Sequence, residues 1–352
     1  MRYRFSAIVV AGLAGGALTL TVAAQPPPSS PGSGGGGGGG AGSGPVEVPS
    51  SKPKANQPAP AKSDGKVDLR PKFELGDVVR YTLRQTSDQV VPNQADPKDP
   101  NKTHQERTIG LKMSTKAVDK ETGEATVEIV YETVKAKIDG PLGLVEFDST
   151  KPPAKGTPTK KSDDPLDAIN DAVLESFKKM VGTTMTMKVA KDGRIISITG
   201  GESLAPDIIP GLTQAWGDSM KQLGGLFGPI NSKSSAGFDG TARVGERWTH
   251  TDGVTLGPLG GLDILTNYEL RSAQGSVAKV YFTGLAQKKS AGEGSPIAVD
   301  DAKHNGQYAW DTRRGQLISC EMEQTVTMSG ALTHGKPSTA VTTLKLERTD
   351  KK

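Results

Sequence analysis

From Val67 onward apolar and polar residues alternate with a period of two, the pattern of strands with one buried face. Val79, Tyr81 and Leu83 interleave with Arg80, Thr82 and Arg84, and Ile109, Leu111 and Met113 repeat the pattern. Asp119 to Gly123 (DKETG) reads as a turn into a strand carrying Val127, Ile129 and Tyr131, then Val134, Ala136 and Ile138. The apolar phase slips between Tyr131 and Val134. A strand changes phase only through an extra residue or a bend, so a β-bulge is expected near Glu132 and Thr133. Val145 and Phe147 make another strand after Gly140-Pro141. Met185, Met187 and Val189 lead through Lys191-Asp192-Gly193 into Ile196 and Ile198, a hairpin with a glycine turn. Further strands carry Trp248, then Tyr268 and Leu270, Val280 and Phe282, Tyr308 and Trp310, and Leu344 and Leu346. The longest alternation runs Ile318, Cys320, Met322, Gln324, Val326, Met328.

In two places the period lengthens. Asp163, Asp164 and Pro165 form a helix start, and Leu166, Ile169, Val173, Phe177 and Met180 follow as one stripe that Gly182 ends. A second helix is expected near Leu212 to Leu226, with Leu212, Trp216, Met220, Leu223 and Phe227 on one face. The expected architecture is therefore α+β: one large curved antiparallel sheet of ~10–12 strands, with two amphipathic helices on its concave side.

Two phrases recur in the same order. FELGDVVRYTL (Phe73–Leu83) parallels ARVGERWTHT (Ala242–Thr251), and AKDGRIISI (Ala190–Ile198) parallels DTRRGQLISC (Asp311–Cys320). The pattern suggests two related halves, the first enlarged by helix insertions. With NYEL between them, these phrases resemble a family of secreted bacterial proteins of unknown function, described mainly from planctomycetes, over roughly Val67 to Thr349. That resemblance implies no activity and no functional residues. The sheet layout also resembles, in architecture only, the lipoprotein-carrier folds of bacterial envelopes.

The N-terminal part reads differently. Arg2 and Arg4 precede an uncharged apolar stretch from Ile8 to Val22, which ends in small residues Val22-Ala23-Ala24. Residues 1–24 are read as a cleavable signal peptide, leaving Gln25 first. The alternative is an uncleaved anchor, and a membrane association follows only in that case. Residues 25–66 open with Pro26 to Pro28, run through Gly34 to Gly40 and hold almost no apolar residue. Such a segment cannot bury enough area to offset its ordering entropy, so it reads as a disordered linker. Residues 67–350 form the single globular domain. The linker also accounts for much of the low hydrophobic fraction, 34%.

Without Arg2 and Arg4 the net charge falls from +4 to +2, near neutral, so no nucleic-acid partner is expected. The lone cysteine, Cys320, cannot form an internal disulfide, so the core alone must hold the fold. It falls on the apolar phase of its strand, where a thiol behaves as a small hydrophobe with a raised pKa.

Candidate chemistry is thin. Gly201-Glu202-Ser203-Leu204-Ala205 approximates a nucleophile elbow, but Ala replaces its last glycine and Pro206 follows; it reads as a polar loop. Asp300, Asp301, His304 and Asp311 lack metal-ligand spacing and read as a solvated loop. His250, two residues after Trp248, shares its strand face and reads as a packed histidine. No catalytic residue, metal or cofactor is assigned.

The methionines offer more. Met113, Met185, Met187, Met322 and Met328 fall on alternating strand positions, and Met180 and Met220 on helix stripes. Methionine fits irregular apolar shapes, either in an ordinary core or around an apolar ligand. The ligand-binding candidates are Met185, Met187, Trp216, Met220 and Phe227. The leading functional expectation is a non-enzymatic extracytoplasmic domain, periplasmic or extracellular, that binds an apolar, lipid-like molecule or a cell-envelope component. The alternatives are an extracytoplasmic hydrolase and a purely structural envelope or matrix protein. A hydrolase requires titratable groups converging in a cleft.

Overall fold

A computed structural model describes residues 6–11, 18–23, 65–92, 99–141, 143–151, 165–201, 239–255, 261–290, 298–329 and 336–349. Near the N-terminus β1 (Ser6–Ala11) and β2 (Leu18–Ala23) pair antiparallel with each other. Then follow β3 (Val67–Asp68), β4 (Val78–Val91), β5 (Asn101–Val118), β6 (Ala125–Gly140), β7 (Gly143–Asp148), α1 (Pro165–Met180), β8 (Thr184–Val189) and β9 (Ile195–Thr199). The remainder is β10 (Thr241–Ala242), β11 (Arg247–Thr255), β12 (Gly261–Gln274), β13 (Val277–Ser290), β14 (Ala298–Asp311), β15 (Gln316–Ser329) and β16 (Ser338–Arg348).

Twelve strands make one sheet in the order β11-β12-β13-β14-β15-β16-β4-β5-β6-β8-β9, with β7 paired to the far half of β6. Every neighbouring pair is antiparallel. This corrects the α+β expectation. Among the described residues the fold is nearly all β, with α1 as its one helix, and α1 packs on β6 and β7 at one end of the sheet. The period-two runs are longer than the pattern alone indicated, up to 18 residues in β5, and they take most of the chain. The expected helix at 212–226, most of the linker and the sequence from Glu202 to Ala205 lie outside the described residues.

Local signals explain the elements. α1 starts at Pro165, where a missing N–H costs nothing. It ends with Lys178 and Lys179 in its last turn, and Gly182 at φ 80° donates its N–H to Tyr131 O at 2.8 Å. Gly110 pairs with Thr133 and Leu111 with Tyr131, so Glu132 is the extra residue of a bulge. That bulge returns Val134 and Ala136 to the face that buries Ile129 and Tyr131. A second bulge, at Ile318, brings Leu317 rather than Ile318 into the core.

The recurring phrases occupy equivalent places. Gly76 donates to Thr115 O of β5 and Gly245 to Leu270 O of β12; both glycines have φ near 85°. Asp77 donates to Glu74 O, and Glu246 to Arg243 O. Each turn opens a five-strand meander: β4-β5-β6-β8-β9 in one case, β11-β12-β13-β14-β15 in the other. Each meander closes with the hairpin of the second phrase. β16 joins the two, and β3 pairs with β10 ahead of them.

The sheet has one wet face and one buried face. The outer face carries cross-strand pairs such as Arg80–Glu132, Arg84–Glu347 and Lys345–Glu321. All are partly exposed, so each contributes at most about 1 kcal/mol. The inner face carries the core, from Met187 and Ile129 through Leu346 and Tyr81 to Trp310 and Leu270. Val127 of β6, Met113 of β5, Tyr81 of β4, Leu317 of β15 and Trp310 of β14 together line one cavity of about 40 Å³. In a flat sheet β6 and β14 would stand roughly 24 Å apart. The sheet therefore rolls around its inner face.

Candidate functional site

Of the five residues that the sequence nominates for ligand binding, two are described. Met185 and Met187 on β8 are 1% and 0% exposed. They pair with Ile129 and Val127 of β6, and Met187 also with Ile198 of β9, inside the common core. Trp216, Met220 and Phe227 lie outside the described residues.

The inner face carries something that the nominations missed. Strand register sets eight residues in one transverse row: His250, Thr266, Gly284, His304, Gln324, Thr342, Ser87 and Gln105, from β11 to β5. Directly paired residues on antiparallel strands share a face, so all eight point inward. Every one is polar except the glycine, and all are buried except His304, which is half-buried. Ser87 and Thr342 hydroxyls meet at 3.0 Å, and Thr266 Oγ1 lies 3.1 Å from His304 Nε2. Gly284 is required here, because a Cβ would run into the His304 imidazole.

The neighbouring rows are mostly apolar. On one side lie Trp248, Tyr268, Phe282, Gly306, Met322 and Leu344, and on the other Ile264, Ala302, Val326 and Ala340. Trp248 stacks on Tyr268 at 5.5 Å, and Phe282 meets Tyr308 at 4.8 Å. On β4 and β5, however, all three rows turn polar. Gln85 faces Arg107, Ser87 faces Gln105, and Gln89 faces Thr103. The result is a block of six inward polar side chains at one end of the polar row, where the apolar rows on either side of it end.

This block is under-satisfied. Gln85 is 5% and Gln89 3% exposed, yet Gln85 Oε1 and both polar atoms of the Gln89 amide have no hydrogen-bond partner among the described residues. Native proteins pair more than nine in ten buried polar groups, so such a cluster calls for an explanation. Arg107 donates one terminal N–H to Gln105 Oε1 at 3.1 Å, while its buried Nε has no partner. Its guanidinium lies 5.5 Å from the Phe177 ring of α1, within cation–π reach, and Phe177 stacks on Phe147 of β7. Among the described residues no carboxylate pairs with Arg107. Burial pulls its pKa down to about 10, still well above neutral, so it remains a cation.

The other candidates separate in space. Asp301 pairs outward with Lys303 at 2.7 Å, and Asp300 accepts from Ser329 Oγ. Asp311 caps the Arg313 and Arg314 N–H groups, while His304 points to the inner face. The four therefore do not converge. Cys320 is 6% exposed, and burial pushes its thiol up to about 12. It is expected to resist a thiol reagent at pH 8 in the native state and to react fully once guanidinium unfolds the chain. Rapid native-state labelling would show that its strand opens readily.

A signal for the polar block was present in the sequence. Gln85, Ser87 and Gln89 continue the inward phase of Val79, Tyr81 and Leu83, and Thr103, Gln105 and Arg107 precede Ile109 and Leu111 in phase. A polar run in the buried phase calls for a partner, just as an apolar one calls for a core.

Among the described residues, the fold and this face define a nearly all-β protein built on one rolled antiparallel sheet, with a polar block between apolar rows of its inner face. The chain belongs to the Family of unknown function (DUF6263), which it matches over residues 122–317. No curated protein matches it in sequence. Among solved structures, one of lipovitellin, reported for its lipid–protein interactions, superposes with a TM-score of 0.39 at 14% identity. The superposition covers 79% of this chain and 26% of that one, so this chain spans about a quarter of it. The likeness is too slight to extend to what that protein binds.

Proposed function

We propose that this protein is a non-enzymatic, exported binding protein whose inner sheet face takes a lipid-like amphiphile. The observation that carries the reading is the set of buried atoms without a hydrogen-bond partner among the described residues, Gln85 Oε1 and both polar atoms of the Gln89 amide, beside apolar rows of the same face. A purely structural core gains nothing from such groups, because each unsatisfied buried polar group costs about 1–3 kcal/mol. A ligand with an apolar chain and a polar end matches both parts of the lining. The chain lies along the row of Phe282, Met322 and Leu344, and the polar end meets the block.

Two measurements test this. Native mass spectrometry of the full chain purified from its own envelope is expected to show a co-purifying amphiphile, and N-phenyl-1-naphthylamine is expected to give a saturable fluorescence signal. Gln89→Leu should raise the melting temperature, because it removes unpaired buried atoms, and should weaken amphiphile binding at least severalfold. Gain of stability with loss of function is the mark of a site residue. No saturable probe signal, or a Gln89→Leu variant that is less stable than wild type, would overturn the reading.

A further inference from the structure

Resting on that reading, we infer that the amphiphile is acidic and that Arg107 holds its anionic group, with Gln85 and Gln105 beside it. Three observations converge on this class.

The first is the charge. Arg107 is the cation of the inner polar block. The carboxylates of the sheet are engaged elsewhere, on the outer face as with Lys345 and Glu347 or Lys116 and Glu128, or at the strand ends as with Arg348 and Asp311, and among the described residues none of them reaches Arg107. Arg107 is half-buried with its Nε fully enclosed, and among the described residues it has no counter-ion; such a charge is costly to enclose, whereas one that meets an anion is stabilised.

The second is the geometry. Arg107 sits directly opposite Gln85, and Gln105, its acceptor, sits directly opposite Ser87. Only one of its donors is committed to Gln105, and the Nε edge is left for an acceptor. Guanidinium presents its donors in a planar fork that suits carboxylate and phosphate oxygens.

The third is the cover. Phe177 of α1 lies over the guanidinium and stacks on Phe147, so the aromatic face screens the charge from one side. The remaining side looks along the inner face toward Leu344 and Met322, which share the transverse row of Gln85 and Arg107. An anionic group seated at Arg107 therefore directs its chain along the apolar row. Gln89, beyond the intervening Ser87–Gln105 row, supplies a donor and an acceptor for a hydroxyl or ester farther along the ligand.

The chemistry shared by fatty-acid carboxylates and phosphate-bearing lipids satisfies these demands, and probes that differ only in charge distinguish the sources. The delipidated full chain, loaded with N-phenyl-1-naphthylamine at pH 7.5, is titrated with submicellar oleate against oleyl alcohol. A second titration sets oleoyl lysophosphatidate against monoolein. At least one anion is expected to displace the dye at a tenfold lower concentration than its neutral counterpart, and which one does so identifies carboxylate or phosphate. Arg107→Met is expected to erase the preference to within twofold while the neutral lipids still displace the dye. Arg107→Lys, which keeps the charge, should retain a preference and guards against a misfolded methionine variant. Equal displacement by charged and neutral lipids of both pairs in wild type overturns the inference and leaves the amphiphile reading standing. A preference that survives in a folded Arg107→Met protein also overturns it, as does a block that holds only water. Failure of all four lipids to displace the dye overturns both.

Discussion

Replacing Trp310 by alanine is expected to cost about 3–5 kcal/mol, the range for deleting a fully enclosed aromatic from a core. Trp310 is 0% exposed and lies where the sheet rolls, among residues of five strands that share one cavity. Its loss enlarges a void that neighbours from both meanders would have to fill at once, and rigid strands relax poorly into such spaces. For a chain of this size the cost corresponds to a fall in melting temperature on the order of 10 °C. Trp248, 8% exposed on the edge strand β11, should cost less on the same substitution. Thermal melts of the two variants side by side check the order. A Trp310→Ala protein that melts within two or three degrees of wild type would show that the two meanders do not share a core.

Deleting Glu132 should have a larger effect still. Glu132→Ala removes only the partly exposed Arg80–Glu132 ion pair and is expected to change stability by less than about 1 kcal/mol. Deleting the residue removes the bulge. Either Val134, Ala136 and Ile138 then turn to the wet face, bringing Lys135 and Lys137 inward, or Val127, Ile129 and Tyr131 turn out instead. Each large apolar side chain lost from the core forfeits roughly 1.5–3 kcal/mol, and an inward lysine adds a desolvation cost. The sum rivals the whole stability of a typical domain. The deletion variant is expected to show no cooperative melt, whereas Glu132→Ala melts like wild type. A cooperative transition in the deletion variant would mean that β6 tolerates a slip in register.

These effects indicate why some of the fold is legible in the sequence and some is not. The bulge at Glu132 is visible because side chains alternate strictly along a strand, so any slip of phase must be built from an extra residue. The start of α1 at Pro165 and its end before Gly182 are visible for a similar reason: cap chemistry is local. The balance between helix and sheet is another matter. The sequence reading gives two amphipathic helices a place over the sheet, but the described fold has one, confined to β6 and β7. Among the described residues, what brings distant strands of the inner face together is the curvature of the sheet, a property of many strands at once that no single period reveals. The polar block is hidden for a different cause. Apolar stripes single out methionines such as Met185 and Met187, which are packed core, whereas Gln85, Ser87 and Gln89 are hydrophilic and look like surface. Only register places them beside Arg107, Gln105 and Thr103, and register joins β4 to β16 across most of the domain.

The place of β16 has a consequence for how the chain acquires its structure. β16 follows all the other strands along the chain, yet it sits between β15 and β4, near the middle of the sheet. A polypeptide emerging from its N-terminal side can form the β4-to-β9 meander and then the β11-to-β15 meander, but the two have no shared strand until residues 338–348 arrive. Up to that moment β4 and β15 each present a long unpaired edge, the kind of edge that invites pairing with the wrong chain. The central seam also joins residues more than 250 positions apart, as in the bond from Ser87 to Thr342, and such closures are slow. The order of synthesis thus delays the finished structure until the chain has been made through β16. A nascent chain stalled before Ser338 should remain sensitive to protease and accessible to holdase chaperones, and release of a further dozen residues should convert it to the resistant form in one step.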